Sequence, residues 1–74
     1  KGLADLEARY GISSREREVL GHLVDGLTAR AIAERMYLSV PTVKSHIYRI
    51  YKKMGIHSQE ELLALVEEEL VEGA

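Results

Sequence analysis

The sequence contains no cysteine, no phenylalanine and no tryptophan, and it has a single proline among its 74 residues. Without cysteine there is neither a disulfide framework nor a thiolate metal site. With 46% hydrophobic residues, the chain is still too apolar to remain disordered. Its core must therefore be built from Leu, Ile, Val, Ala and Met, which suit packed helices better than a β-sandwich or barrel. We expect one small all-α domain.

Long apolar segments and targeting signals are also missing. No hydrophobic run approaches the roughly 20 residues of a membrane span, and no signal-peptide pattern is present. We therefore expect a cytoplasmic domain. Because the chain starts at Lys1 and not at Met, we expect it to come from a longer protein, whose absent upstream part is where any membrane tether would lie.

The small net charge of −2 hides a partition along the chain. Residues 28–53 contain six cations and one acid, whereas residues 58–74 contain six glutamates and no cation. Local fields decide phosphate binding, so the basic segment is suited to nucleic acid in spite of the acidic total. We expect the acidic segment to point away from such a partner.

Capping residues and glycines divide the rest of the chain into four helices. Ser13 and Glu16 form a capping box at the start of the first, which Gly26 ends. Thr28 caps the second, and a tight turn after Met36 leads to the third, so that the pair forms a helix-turn-helix.

The third and fourth helices have equally clear boundaries. Ser39 caps the third helix, whose start Pro41 is expected to delay by a residue, and Gly55 follows its end. A second capping box at residues 58–61 begins the fourth. Its leucine-rich stripe is broader than one small core needs, which leaves part of it for a partner.

The third helix joins a buried face to a basic one. Val43, Ile47 and Ile50 recur at the spacing of one buried face. The opposite face has no acid, and its residues are Lys44, Ser45, Tyr48, Arg49 and Lys52. A helix with these donors has the dimensions to lie in the major groove of DNA.

Several segments of the chain resemble the LuxR-type helix-turn-helix, the C-terminal effector domain of many bacterial transcription regulators, including those of the NarL and FixJ kind. The segments are residues 13–20, Ile32-Ala33, Ser39, Thr42–His46 and residues 50–56. The resemblance implies a four-helix DNA-binding domain over residues 12–74. Residues 1–11 are then a linker end or a short extra helix.

The resemblance also implies which residues bind DNA. It places Lys44 at a base edge or a nearby phosphate, and Ser45, Tyr48 and Arg49 at the positions that set sequence preference. The other expected DNA contacts are Thr28, Arg30, Ser39, Thr42 and Lys52. The fourth helix is expected to form a homodimer through Leu63 and Leu70, and RNA polymerase is a further candidate partner. Gln59 stands where many members carry Arg.

Two other functions share parts of this pattern. One is a sigma-factor region that reads a promoter element, and the other is a protein-interaction module that uses the fourth helix. The Thr42–His46 run and the end of the third helix favour the regulator. His46 is expected to link its helix to the backbone, and the three histidines are too scattered for a metal site. We expect no enzymatic activity, no cofactor, no metal and no small-molecule ligand.

Overall fold

A computed structural model describes the backbone of residues 2–73 and the side chains of residues 4–69. Within these residues the fold has five helices and no strand. They are α1 (Gly2–Tyr10), α2 (Ser14–Val24), α3 (Ala29–Met36), α4 (Val40–Met54) and α5 (Gln59–Gly73). The expected all-α fold is confirmed, with α1 preceding the four predicted helices. No helix in this part of the chain is both long enough and apolar enough to cross a lipid bilayer.

Side-chain hydroxyls begin the three central helices, as the sequence predicts. The Ser13 hydroxyl accepts the Glu16 N–H at 3.2 Å, and the Glu16 carboxylate accepts the Ser13 N–H at 3.0 Å, which completes the capping box. Thr28 and Ser39 cap α3 and α4 in the same way. Helix α4 starts directly after its cap, so the expected delay is wrong. Pro41 lies in the first turn, where its missing N–H costs no hydrogen bond.

Helices α3 and α4 both end on a residue in the left-handed conformation. Gly55 follows α4 with a φ of 69°, and Tyr37 follows α3 with a φ of 56°. After each of them, the next N–H donates to the carbonyl five residues back, at 2.9 Å in α3 and 3.0 Å in α4. Glycine adopts this conformation without penalty, whereas a residue with a Cβ loses roughly 1 kcal/mol. The turn of the helix-turn-helix therefore carries backbone strain at Tyr37.

The second capping box is only half formed. The Ser58 hydroxyl accepts the Glu61 N–H at 3.1 Å, as predicted. The Glu61 carboxylate, however, accepts the N–H of His57 at 3.1 Å and not that of the cap. Its Oε1 also lies 3.8 Å from Nδ1 of the His57 ring. The carboxylate thus reaches one residue further back than a capping box requires, so this half of the prediction is wrong.

The core lies between α2, α3, α4 and α5. Helix α1 packs against α5 and contributes Leu6 to the core. Its fully buried side chains are Leu6, Val19, Leu20, Ile32, Val43, Ile50 and Leu62. Because Leu6 belongs to α1 and α1 packs against α5, part of the broad leucine stripe is covered within the chain. The division of the chain between residues 11 and 12 stays a prediction.

Candidate nucleic-acid interface

Helix α4 exposes all five of the residues that the sequence assigns to its basic face. They are Lys44, Ser45, Tyr48, Arg49 and Lys52. On the opposite face Val43 and Ile50 are fully buried, so the two-sided character of the helix is confirmed. Four of the five exposed residues also line one shallow hollow with Pro41, all except Lys52. The structure therefore brings the predicted base-reading residues together on one continuous surface.

The cations of this face are not neutralised within the domain. In the part of the chain that the structure describes, no salt bridge involves Lys44, Arg49 or Lys52. The ammonium of Lys52 lies 5.7 Å from the ring centroid of Tyr48, one helical turn away, in a cation–π arrangement. Tyr48 as a residue is still 65% exposed. Donors and an aromatic surface are thus both accessible to a ligand.

Two helix N-termini carry the remaining expected contacts. The Ser39 hydroxyl donates to Oγ1 of Thr42 at 2.9 Å and accepts the Thr42 N–H at 3.3 Å. At the start of α3, Oγ1 of Thr28 accepts the Ala31 N–H at 3.2 Å, and Arg30 lies exposed beside it. The threonine hydroxyls act as acceptors in these bonds, so their own protons remain for an oxygen ligand. Helix N-termini also bear partial positive charge, which favours an anion.

One cation of the basic segment is used inside the fold. The ammonium of Lys53 donates to Oε1 of Glu16 at 2.6 Å and to the Gly11 carbonyl at 3.0 Å. This bond, together with the Ser13 N–H, holds the pKa of the Glu16 carboxyl below its usual range. Adjacent helical residues are about 100° apart, so Lys52 and Lys53 cannot share a face. That spacing was the available sequence signal. One of the six cations of the basic segment is already paired within the fold.

Two polar residues have roles that differ from the sequence expectation. Nδ1 of His46 is buried and has no hydrogen-bond partner among the described residues, so the expected link to the backbone is wrong at this nitrogen. The Gln59 amide donates to the carbonyls of Leu23 and Leu27 at 2.9 and 3.0 Å. It therefore satisfies the end of α2, a role that sequence reasoning missed.

The acidic end of the chain takes part in holding α1. Both oxygens of Glu69 on α5 accept hydrogen bonds from the Arg9 guanidinium, at 2.8 and 3.1 Å. The Glu69 bond is the main reason that the pKa of Arg9 is raised. Glu7 of α1 also lies 3.5 Å from Arg17 of α2. At least one glutamate of the acidic segment, Glu69, is therefore part of the packing between α1 and α5.

The predicted dimer residues lie on α5. Leu62 and Val66 are buried, at 0% and 5% exposure, whereas Leu63 is 38% exposed. Leu62 and Val66 therefore lie on the core side of the stripe, and Leu63 lies at its outer edge. The side chain of Leu70 lies outside the described residues. The role of either leucine in a dimer stays a prediction.

Comparison with known proteins identifies the family. Residues 11–66 match the model of the bacterial regulatory proteins of the luxR family. The chain is 40% identical over 53 residues to a probable transcriptional regulatory protein NarL of Mycobacterium tuberculosis, which covers 72% of the chain and 24% of that protein. It is 44% identical over 52 residues to the Fimbriae Z protein of Escherichia coli, covering 70% of the chain and 25% of that protein.

A third relative is named for DNA binding. The chain is 44% identical over 46 residues to the DNA-binding transcriptional activator DevR/DosR of M. tuberculosis, covering 62% of the chain and 21% of that protein. The chain thus spans about a quarter of the length of the relatives it matches. Helix α1 precedes the residues that match the family model. On this evidence, the chain belongs to the luxR family of bacterial regulatory proteins and carries their helix-turn-helix DNA-binding domain.

Proposed function

We propose that this chain is the output domain of a bacterial transcription regulator and reads a specific DNA sequence with α4 in the major groove. The observation that carries the proposal is the exposed face of α4, whose Lys44, Arg49 and Lys52 are held in no salt bridge within the described residues. The major groove is about 12 Å wide and admits one helix. Helix α4 has 15 residues, so it is roughly 22 Å long and can follow the groove over several base pairs.

Base reading and phosphate binding fall to different parts of this surface. We assign Lys44, Ser45, Tyr48 and Arg49 to base edges, because they share one hollow on the N-terminal part of α4. We assign phosphates to Lys52 and to the residues at the two helix N-termini. Those residues are Thr28, Arg30, Ser39 and Thr42. Hydroxyls and helix N-termini are common phosphate ligands, and such contacts set the orientation of a protein on the duplex.

The full regulator is proposed to act as a homodimer. Leu63 lies exposed on α5, where it can contact the same helix of a second copy, with Leu70 as the second expected contact. Two domains on adjacent half-sites would then read major grooves about 34 to 36 Å apart. We propose RNA polymerase as a further partner of the full regulator. We place the protein in the cytoplasm, where bacterial DNA lies.

A titration of fluorescent DNA duplexes at several salt concentrations tests the proposal. The logarithm of the binding constant should fall linearly with the logarithm of salt between about 50 and 200 mM, with a slope of magnitude about 2 to 4 if two to four phosphates are contacted. A protein-interaction module would show no such salt-dependent affinity, and that result would overturn the proposal. A sigma-like region would select a promoter element in place of paired half-sites.

Two charge reversals, one on α4 and one on α5, make the test specific to α4. Arg49→Glu should abolish measurable binding, because it places an acid among the bases and phosphates. Glu68→Lys, an equal and opposite change at an exposed position of α5, should change the affinity little if the acidic helix points away from DNA. Both residues are exposed, so both variants should melt like the wild type. If the two variants changed the affinity by similar factors in opposite directions, net charge and not the α4 surface would govern DNA binding.

A further inference from the structure

Helix α4 contains no aspartate, glutamate, asparagine or glutamine in any of its 15 residues. Its exposed hollow is lined by a lysine, a serine, a tyrosine and an arginine beside Pro41. Lysine and arginine side chains can only donate hydrogen bonds, so the two hydroxyls, which both donate and accept, are the only acceptors among these side chains. The surface proposed to read bases is therefore rich in donors and lacks any strong acceptor.

The four bases differ in what they present to such a surface. In the major groove guanine offers two acceptors, N7 and O6, and thymine offers one acceptor and a methyl group. Adenine combines an acceptor with an N–H donor, so its two-bond recognition needs an amide. Cytosine offers an N–H donor, whose specific partner is a carboxylate. Neither side chain is available on α4.

We propose that this domain reads guanine and thymine in its operator, with Arg49 bonding both acceptors of a guanine and the Tyr48 ring lying against a thymine methyl. The proposal rests on the proposed function, because it assumes that α4 enters the major groove. It deepens that function by naming the bases that a half-site must contain.

Arg49 is suited to the guanine contact, because it is exposed and is held in no salt bridge among the described residues. Its planar guanidinium presents parallel donors that match N7 and O6. Within the described residues no carboxylate forms a salt bridge with it, so no internal bond must break on binding. Lys44 is a second donor on the same hollow and can serve a neighbouring guanine.

The Tyr48 ring is held for the thymine contact by its neighbour one turn away. Lys52 lies over the ring at 5.7 Å from its centroid, which favours one orientation of the side chain. Tyr48 remains 65% exposed, so apolar surface of its side chain is in contact with water. Removing such surface from water is favourable. A thymine methyl group placed against the ring would remove that surface from water. Burial of this one carbon atom should raise the affinity for DNA roughly 4-fold.

Base analogues test the inference on duplexes that the wild-type chain selects from a randomised pool. Replacing guanine by 7-deazaguanine removes the N7 acceptor, and at the contacted guanine it should weaken binding roughly 5- to 150-fold. Replacing thymine by uracil removes only the methyl, and at the contacted thymine it should weaken binding roughly 4-fold. The matched control, 7-deazaadenine for adenine, should leave affinity unchanged. Losses with the adenine analogue as large as those with the guanine analogue would overturn the inference.

Two variants assign the contacts to side chains. Arg49→Gln exchanges a donor fork for an amide, so the preferred base at one position should change from guanine to adenine. With Tyr48→Ser the thymine and uracil duplexes should bind equally, whereas they differ with the wild type. An unchanged base preference in both variants would overturn the inference. Failure to bind any duplex in a salt-dependent manner would instead refute the proposed function, so the two outcomes are distinguishable.

Discussion

The ammonium nitrogen of Lys53 lies 2.6 Å from Oε1 of Glu16, which joins the last turn of α4 to the first turn of α2. The same carboxylate accepts the N–H of Ser13, the cap of α2. The same ammonium donates to the carbonyl of Gly11, directly after α1. Three helices thus meet at one ion pair, which positions the end of α4 without using its exposed face.

Glu16→Gln should lower the free energy of unfolding by about 1 to 3 kcal/mol at neutral pH, because it removes a charge-assisted bond from a buried group. The pKa of Glu16 is lowered in the folded state, so its contribution is present above the ordinary carboxyl value of 4.5 and is lost as pH falls through the folded value. Urea unfolding of both proteins from about pH 7 to pH 3 measures the difference. The difference in unfolding free energy between the wild type and Glu16→Gln should shrink below pH 4.5. A difference that is constant with pH would contradict the assignment.

Lys52 and Lys53 are adjacent and should differ completely in their effects on DNA binding. Lys52→Ala should reduce the magnitude of the salt slope by about 0.9 on every sequence, since one phosphate contact is lost. Lys53→Met should leave the slope unchanged and lower stability instead, because its charge is paired inside the fold. Duplex titrations and urea unfolding of the two variants check this. An unchanged slope for Lys52→Ala would remove that lysine from the interface.

Gln59→Leu should destabilise the domain by about 1 to 2 kcal/mol, because the carbonyls of Leu23 and Leu27 lose their donor. The neighbouring exposed residue provides a control. Glu60→Leu should change stability by less than about 0.5 kcal/mol. Chemical denaturation gives both values, and equal effects would show that the Gln59 amide is replaceable by water.

Tyr37→Gly should stabilise the domain, since it relieves a left-handed backbone conformation at a side chain that is 95% exposed and packs against little. A gain of about 1 kcal/mol corresponds to a rise of about 4 to 8 °C in Tm for a domain of this size. Tyr37→Ala is the matched control, because it removes the ring but keeps the Cβ. It should show no gain in thermal melting. A comparable gain in both variants would mean that the ring, and not the backbone, is unfavourable.

Leu63→Lys should reduce cooperative binding to paired half-sites while leaving affinity for a single site unchanged. Leu63 is partly exposed, so its replacement should cost little stability. Leu62→Lys, at a fully buried neighbouring position, should unfold the domain and serves as the contrast. Titrations of single and paired sites, with thermal melting, distinguish the cases. Normal melting with full cooperativity in Leu63→Lys would exclude this edge of α5 as the dimer contact.

Local patterns were sufficient to predict the four family helices and most of their caps. At Ser13 the serine hydroxyl and the glutamate three residues later satisfy each other's backbone N–H groups within one turn, so this box formed as expected. The spacing of Val43 and Ile50 likewise requires only that one face of α4 be buried. The same spacing placed Lys44 and Arg49 on the exposed side. These features are local because their partners lie within a few residues along the chain.

The remaining features depend on contacts between residues far apart in sequence. Lys53 is one residue from an exposed lysine, yet it is paired because α2 brings Glu16 beside it, 37 residues earlier. Gln59 was interpreted by its place in a family motif, but its amide bonds carbonyls 32 and 36 residues away. Helix α1 had an ambiguous pattern, and it is packed because α5 offers it an apolar face and Glu69. The sequence pattern of a helix predicts on which face a side chain lies. The residue that this side chain contacts on another helix is determined by how the helices pack.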